Sequence, residues 1–205
     1  MKIGFIGLGN MANAMIGGLI RSGVAAEDIY GSDISEALVE ARKKEYGIHT
    51  GTDNKETVKN VDYLVLAIKP QFAADAIATF KEVLSPEQVV VSIVAGKTLA
   101  WYEERFGRVQ KCVRCMPNTA ALVGEAITAM TPNEAVSEEE LEGAKKIIES
   151  FGKASVVKEN LMDAVVGVSG SAPAYVFMFI EAMADAAVEG GMPRMQAYEF
   201  AAQAG

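Results

Sequence analysis

Residues 2–12 read Lys2-Ile-Gly-Phe-Ile-Gly-Leu-Gly-Asn-Met-Ala12, an apolar stretch that runs straight into Gly7-x-Gly9-x-x-Ala12. A buried strand, a tight glycine turn and a helix start in direct succession constrain the fold more than any other segment. The first N–H groups of such a helix have no partner inside it, and its positive end faces the same way. The junction can therefore hold a pyrophosphate. The helix itself is legible, because Met15, Ile16, Leu19 and Ile20 form a spaced apolar face and Gly23 supplies a stop. The segment predicts dinucleotide binding; its plainer reading is an ordinary turn between a strand and a helix.

Strand and helix then alternate along the chain. Strands are expected at Ile29–Ser32, Ile48–Thr50, Tyr63–Ile68, Val89–Val94, Val109–Met116 and Ala126–Met130. Helices are expected after Ser35, after Thr52, over Phe72–Leu84, over Leu99–Phe106 and over Ser137–Phe151. The strands are continuous apolar runs, as suits a sheet covered by helices on both faces. This order specifies an α/β fold of the Rossmann type, doubly wound around a mainly parallel sheet with right-handed crossovers. A last strand near Ala154–Val157 closes a dinucleotide-binding domain of residues 1–158, and residues 159–205 read as helical.

In such a sheet ligands sit outside the carboxyl ends of the strands, so each strand end carries information. The second ends in Asp33, about twenty residues beyond the glycine turn, where a carboxylate can accept from the adenosine ribose hydroxyls. Its plainer use is as a neighbour of the Ser35 helix cap. A 2′-phosphate would be repelled there, and no arginine follows in Ile34-Ser35-Glu36, which tilts the expected cofactor from NADPH toward NADH. The fourth strand ends in Ala67-Ile68-Lys69-Pro70, and its lysine stands either at the ligand edge or in solvent. The fifth ends in Val94-Ala95-Gly96, whose small side chains let a flat ring approach the backbone. The sixth ends in Met116-Pro117-Asn118-Thr119, an amide and a hydroxyl at the same edge. A cleft with few acid–base groups suits hydride transfer, since the cofactor brings the demanding chemistry; no metal site is expected.

Composition narrows the partners. The net charge of −8 is unsuited to a phosphate backbone, so no nucleic-acid partner is expected. Half of the residues are hydrophobic, yet no uninterrupted apolar run approaches the roughly 20 residues of a membrane span, so no membrane association is expected. Cys112 and Cys115 lie on a strand, where residues three apart point to opposite faces; they read as buried, inert thiols in a reducing cytoplasm.

After Asn160 the character changes. Val176-Phe-Met-Phe-Ile-Glu-Ala-Met-Ala-Asp185 is apolar nearly all round and must be buried against something large, with Met178, Met183 and the aromatics as core. So short a helical stretch cannot cover itself, which calls for a partner subunit or further chain.

Several segments together resemble the pyrroline-5-carboxylate reductase family: Ile3–Met11, Asp53–Val58, Ala67–Pro70, Val91–Gly96, Arg114–Thr119 and, most specifically, Val166–Ala182. The resemblance implies that Ile6, Gly7, Leu8, Gly9, Asn10, Met11 and Asn54 touch an NAD(P)H dinucleotide. It implies that Ala67, Ile68, Lys69 and Pro70, with Ala95 and Gly96, line the nicotinamide end. The implied reaction is reduction of 1-pyrroline-5-carboxylate to L-proline, the last step of proline biosynthesis. A protonated cyclic C=N accepts hydride without a metal, which fits the sparse inventory. Asn118 and Ser171 are candidate substrate contacts, each with a plainer use in a loop or helix cap.

Family members usually continue for about sixty residues, through a substrate-binding segment that also builds an interlocked helical dimer. The chain is therefore expected to be a fragment holding the first part of a dimerisation domain. It is also expected to bind dinucleotide and turn over little substrate, and to form a homodimer or higher homo-oligomer. Two other readings stand beside this one. A β-hydroxyacid dehydrogenase relative would need a catalytic lysine on the helix from Pro173, but no lysine follows Lys158. A non-catalytic dinucleotide-binding module would keep the fold without the chemistry.

Overall fold

A computed structural model describes residues 1–204; Gly205, the last residue of the expected helical region, lies outside the described residues. The chain divides into two compact units, Met1–Met162 and Asp163–Gly205.

The first unit is built on an eight-stranded sheet with the order β3-β2-β1-β4-β5-β6-β7-β8. The strands are β1 (Ile3–Ile6), β2 (Ile29–Ser32), β3 (His49–Gly51), β4 (Tyr63–Leu66), β5 (Val89–Ser92), β6 (Cys112–Met116), β7 (Ala126–Pro132) and β8 (Gly152–Val156). Pairing is parallel except between β6 and β7, where Val113 faces Pro132 and Met116 faces Ala129. The central strand β1 lies between β2 and β4, with Ile6 level with both Ser32 and Leu66. Gly7, Asp33 and Ala67 therefore leave the sheet side by side, at its carboxyl edge.

Period-two alternation sends the apolar side chains of each strand to two separate cores. Ile3, Phe5, Val65 and Val91 pack on one face with Met15, Ile16 and Leu19 of α1 (Asn10–Arg21) and with Ile147 and Ile148 of α6 (Glu138–Glu149). Ile6, Leu64, Leu66 and Val90 pack on the other with Ile77 and Phe80 of α4 (Ala73–Phe80) and Tyr102 of α5 (Leu99–Phe106). Between α1 and α4 the chain forms α2 (Glu36–Tyr46) and α3 (Asn54–Lys59). Burying each such side chain contributes roughly 1.5–3 kcal/mol, so the two faces together fix the strand register. Cys112 joins one core and Cys115 the other, both as free thiols whose pKa burial pushes up.

Several expected elements are shorter than their apolar patterns: β5 ends at Ser92 instead of Val94, and β6 begins at Cys112 instead of Val109. β4 stops at Leu66 because Ala67 turns away, although its N–H still donates to Ile6 O at 2.9 Å. α4 spans Ala73–Phe80, preceded by a 3₁₀ turn at Pro70–Phe72 and closed before Ser85-Pro86. Proline disfavours helical backbone in the residue before it.

In the second unit, α8 (Ala172–Glu189) and α9 (Arg194–Ala204) pack together through Ala184, Ala197 and Ala201. Ahead of α8 come α7 (Met162–Val165) and a π-helical turn at Val166–Gly170, which sequence periodicity did not reveal. Met178 and the aromatics of α8 form no core among the described residues, so the cover expected for this helix is not supplied by α9. Tyr175, Phe177, Met178 and Phe179 are each at least 60% exposed, because α9 covers only the alanine side of the helix. The helical run Glu159–Glu189 contains an 18-residue window of mean hydropathy 1.4, enough by length and composition to cross a membrane.

Candidate functional site

The carboxyl edge of β1, β2 and β4 encloses a cavity of about 290 Å³. It brings together eight of the residues singled out from sequence: Ile6, Gly7, Gly9, Asp33, Asn54, Ala67, Ile68 and Lys69. Ser32, Ile34, Leu38, Phe72 and Ala76 complete its wall, and sequence alone assigns none of them a role in binding. Ile34 and Phe72 are 94% and 54% exposed. For Ile34 the available signal is an apolar side chain between Asp33 and Ser35, just past the end of β2, whereas Phe72, six residues beyond β4, offers none.

The two glycines of the turn do different things. Gly7 has φ +95°, and a Cβ there would lie 2.5 Å from Ala67 O, so backbone conformation and close strand packing both require glycine. Gly9 has extended backbone with φ −69° and is the N-cap of α1, with no side-chain hydrogen bond capping the helix. A Cβ at Gly9 would meet nothing within 4 Å. That glycine keeps the approach to the helix start open. The first-turn N–H groups of α1, from Asn10 and Met11, have no intrahelical acceptor and stand at the positive end of the helix. Asn10 is exposed, while Leu8 points the other way, into the core.

The turn is held from outside by side chains. Asp33 Oδ2 accepts from Leu8 N at 2.8 Å, and its Oδ1 accepts from Ser35 N at 2.9 Å. Arg42 Nε donates to Leu8 O at 3.3 Å. Across the cavity, Asn54 Oδ1 accepts from Ser32 Oγ at 2.7 Å.

The remaining sequence-chosen residues lie outside this cavity. Pro70 opens the 3₁₀ turn before α4. Ala95 and Gly96 are exposed at the end of β5, Gly96 with φ +71°. Three residues later Leu99 N donates to Glu159 Oε1 at 2.8 Å, and the same oxygen accepts from Arg114 Nη1 at 3.0 Å. One carboxylate thus ties the start of α5 to β6. Asn118, half-buried after β6, spends its Oδ1 on Ile127 N at 3.3 Å. Ser171 belongs to the second unit, where its hydroxyl donates to Val166 O at 3.1 Å.

Residues 2–96 match the family model "NADP oxidoreductase coenzyme F420-dependent", and residues 159–205 match "Pyrroline-5-carboxylate reductase dimerisation". The chain is 47% identical to pyrroline-5-carboxylate reductase of Escherichia coli over 204 residues, 99% of the chain and 76% of that protein. It is 42% identical to the Methanosarcina acetivorans reductase, covering 98% of the chain and 75% of the relative. Among solved structures it superimposes on the Coxiella burnetii reductase with TM-score 0.94 and 32% identity, covering 99% of the chain and 76% of that structure. The Plasmodium falciparum reductase, solved with NADP bound, gives TM-score 0.89 and 31% identity over 100% of the chain and 75% of that structure.

Proposed function

The chain belongs to the pyrroline-5-carboxylate reductase family, and we propose that it reduces 1-pyrroline-5-carboxylate to L-proline with NAD(P)H, in the last step of proline biosynthesis. The observation that carries the reading is the open turn at Gly9. It has room where a side chain would stand, a helix start without a side-chain cap, and a cavity beside it. Those features fit a pyrophosphate and the adenosine half of a dinucleotide.

In this reading Gly7, Gly9 and the first turn of α1 at Asn10 and Met11 hold the pyrophosphate, with Ile6 lining the cavity beside them; Leu8, its N–H given to Asp33 and its side chain in the core, braces the turn instead. Asp33 accepts from ribose hydroxyls through the lone pairs left free by Leu8 and Ser35, and so favours NADH over NADPH. Asn54 donates at the same subsite. Ile34, Leu38 and Phe72 offer apolar surface to the adenine. Ala67, Ile68 and Lys69 line the same cavity as Asp33 and Asn54, and Pro70, Ala95 and Gly96, outside it, are left for the nicotinamide end. When bound, the reduced nicotinamide supplies the hydride that turns the C=N bond into an amine. Glu159, by bonding Leu99 and Arg114, ties to β6 the start of α5, which follows the Ala95-Gly96 turn. Asn118 has its carbonyl engaged by Ile127, which leaves its amide hydrogens for a substrate carboxylate. The Ser171 proton is spent on Val166 O, so that hydroxyl receives hydrogen bonds.

Residues 1–158 bind the cofactor, and residues 159–205 carry the surface through which copies of the chain associate. The exposed apolar side chains of α8 and the match to a dimerisation model support that assignment. Two free, buried thiols fit a reducing cytoplasm.

The test is stoichiometry. The chain is supplied with 1-pyrroline-5-carboxylate and either dinucleotide, and nucleotide oxidation and L-proline are both quantified. One L-proline per nucleotide oxidised is expected, whatever the rate. Bound dinucleotide with no proline formed, or oxidation without proline, would contradict the reading.

A further inference from the structure

We propose that Thr79 is a positioning residue for dinucleotide binding that acts through Asn54; the inference rests on the cofactor reading above. Asn54, the first residue of α3, sits between two hydroxyls. Ser32 Oγ donates to its Oδ1 at 2.7 Å, and its Nδ2 donates to Thr79 Oγ1 at 3.0 Å. Thr79 in turn donates to Ala76 O, one helical turn back, at 2.7 Å.

The direction of every bond in this chain follows from the hydrogen inventory. A carboxamide oxygen only accepts, so Ser32 must be the donor. Ser32 is fully buried, and a reversed amide would leave its hydroxyl without that acceptor. Thr79 has one hydroxyl hydrogen, committed to Ala76 O, so it faces Asn54 as an acceptor. The amide of Asn54 is therefore locked, carbonyl toward β2 and nitrogen toward α4. One of its two N–H groups is used by Thr79, and the other is left for the cavity that Asn54 lines together with Asp33. A fixed donor beside a carboxylate acceptor is the complement of a vicinal diol, which can accept from one and donate to the other. Thr79 itself is exposed on α4 and does not line the cavity. Its contribution to the ligand runs through Asn54 alone.

The experiment compares the wild-type chain with Thr79→Val and Thr79→Ser. Dissociation constants are measured for NADH, for ADP-ribose, and for reduced nicotinamide mononucleotide, which lacks the adenosine. Thr79→Val removes the hydroxyl at nearly constant volume and is expected to weaken NADH and ADP-ribose by roughly fivefold, the scale of one hydrogen bond. Mononucleotide binding should stay at the wild-type level, and Thr79→Ser should restore tight binding of the other two. Unchanged NADH and ADP-ribose affinity in Thr79→Val would overturn the proposal. So would equal weakening of all three nucleotides, which would mark general damage to the unit. A wild-type chain that binds neither NADH nor ADP-ribose would instead defeat the cofactor reading itself.

Discussion

The Asp33 carboxylate accepts the backbone N–H of Leu8 at 2.8 Å, so the end of the second strand braces the turn that follows the first. The register that sets Ile6 beside Ser32 makes this reach short. Arg42 holds the carbonyl of the same residue, which leaves the Leu8 peptide gripped on both sides. The glycine turn is thus shaped before any ligand arrives, and a preshaped turn spends less binding energy on ordering.

The two glycines should separate stability from binding. Gly7→Ala forces a methyl against Ala67 O at a positive φ and is expected to cost roughly 1–3 kcal/mol of stability. Gly9→Ala meets no atom within 4 Å and should leave the unfolding curve unchanged. Its methyl would stand over the open helix start, so NADH and NADPH affinity should fall at least ~10-fold, the scale of displacing one or two charge-assisted bonds. Urea unfolding and nucleotide titration on both variants check this; a destabilised Gly9→Ala chain with normal affinity would reverse the assignment.

Asp33→Ser tests two roles at once. Loss of the brace on Leu8 should weaken NADH and NADPH together. Loss of the ribose acceptor should in addition lower the NADH-to-NADPH affinity ratio, because the negative charge facing a 2′-phosphate is gone. A ratio that stays put while both affinities drop would leave Asp33 as a brace alone.

Much of this was legible in sequence, and the exceptions have physical causes. Strand ends can be read because apolar runs stop abruptly at Asp33, Lys69 and Gly96. The antiparallel pairing of β7 had a signal too: residues 117–125 are too short for the dozen or so residues of a parallel crossover. Ile34 and Phe72 escaped notice because an exposed apolar side chain leaves no periodicity. The Asp33–Leu8 and Thr79–Asn54 bonds join residues 25 apart in sequence, and only the fold places them together. For α8, the apolar pattern showed that a covering surface is needed, while the chain itself covers only Ala184 fully.

The helical surface predicts assembly. The chain should sediment as a dimer or larger homo-oligomer at micromolar concentration. A Phe177→Asp, Phe179→Asp double variant should raise its dissociation constant by ~30-fold or more, the scale of a single ~2 kcal/mol anchoring residue. A monomeric wild-type chain in sedimentation velocity would contradict this use of α8.

Glu140 supplies a pH-dependent part of the first unit's stability. Burial pushes its carboxyl pKa up, but hydrogen bonds from Lys111 and from Ser137 outweigh burial and hold it below the ordinary glutamate range. A carboxyl pKa lower in the folded chain than in the unfolded one stabilises at neutral pH, and that contribution fades as pH falls through the folded value. Glutamine can still close the capping box, so Glu140→Gln isolates the charge. The stability gap between wild type and Glu140→Gln should be constant near neutrality and shrink in acid; a gap that widens in acid would reverse the sign.

Amide chemical shifts report whether a dinucleotide seats on the Gly7–Gly9 turn beside Asp33 and Asn54. NADH titrated into isotopically labelled chain should move the backbone amides of Gly9, Asn10 and Met11 and the side-chain amide of Asn54, and leave those around the Tyr30–His49 stack in place. Saturable shifts confined to the Tyr30–His49 side, or none at all, would contradict it.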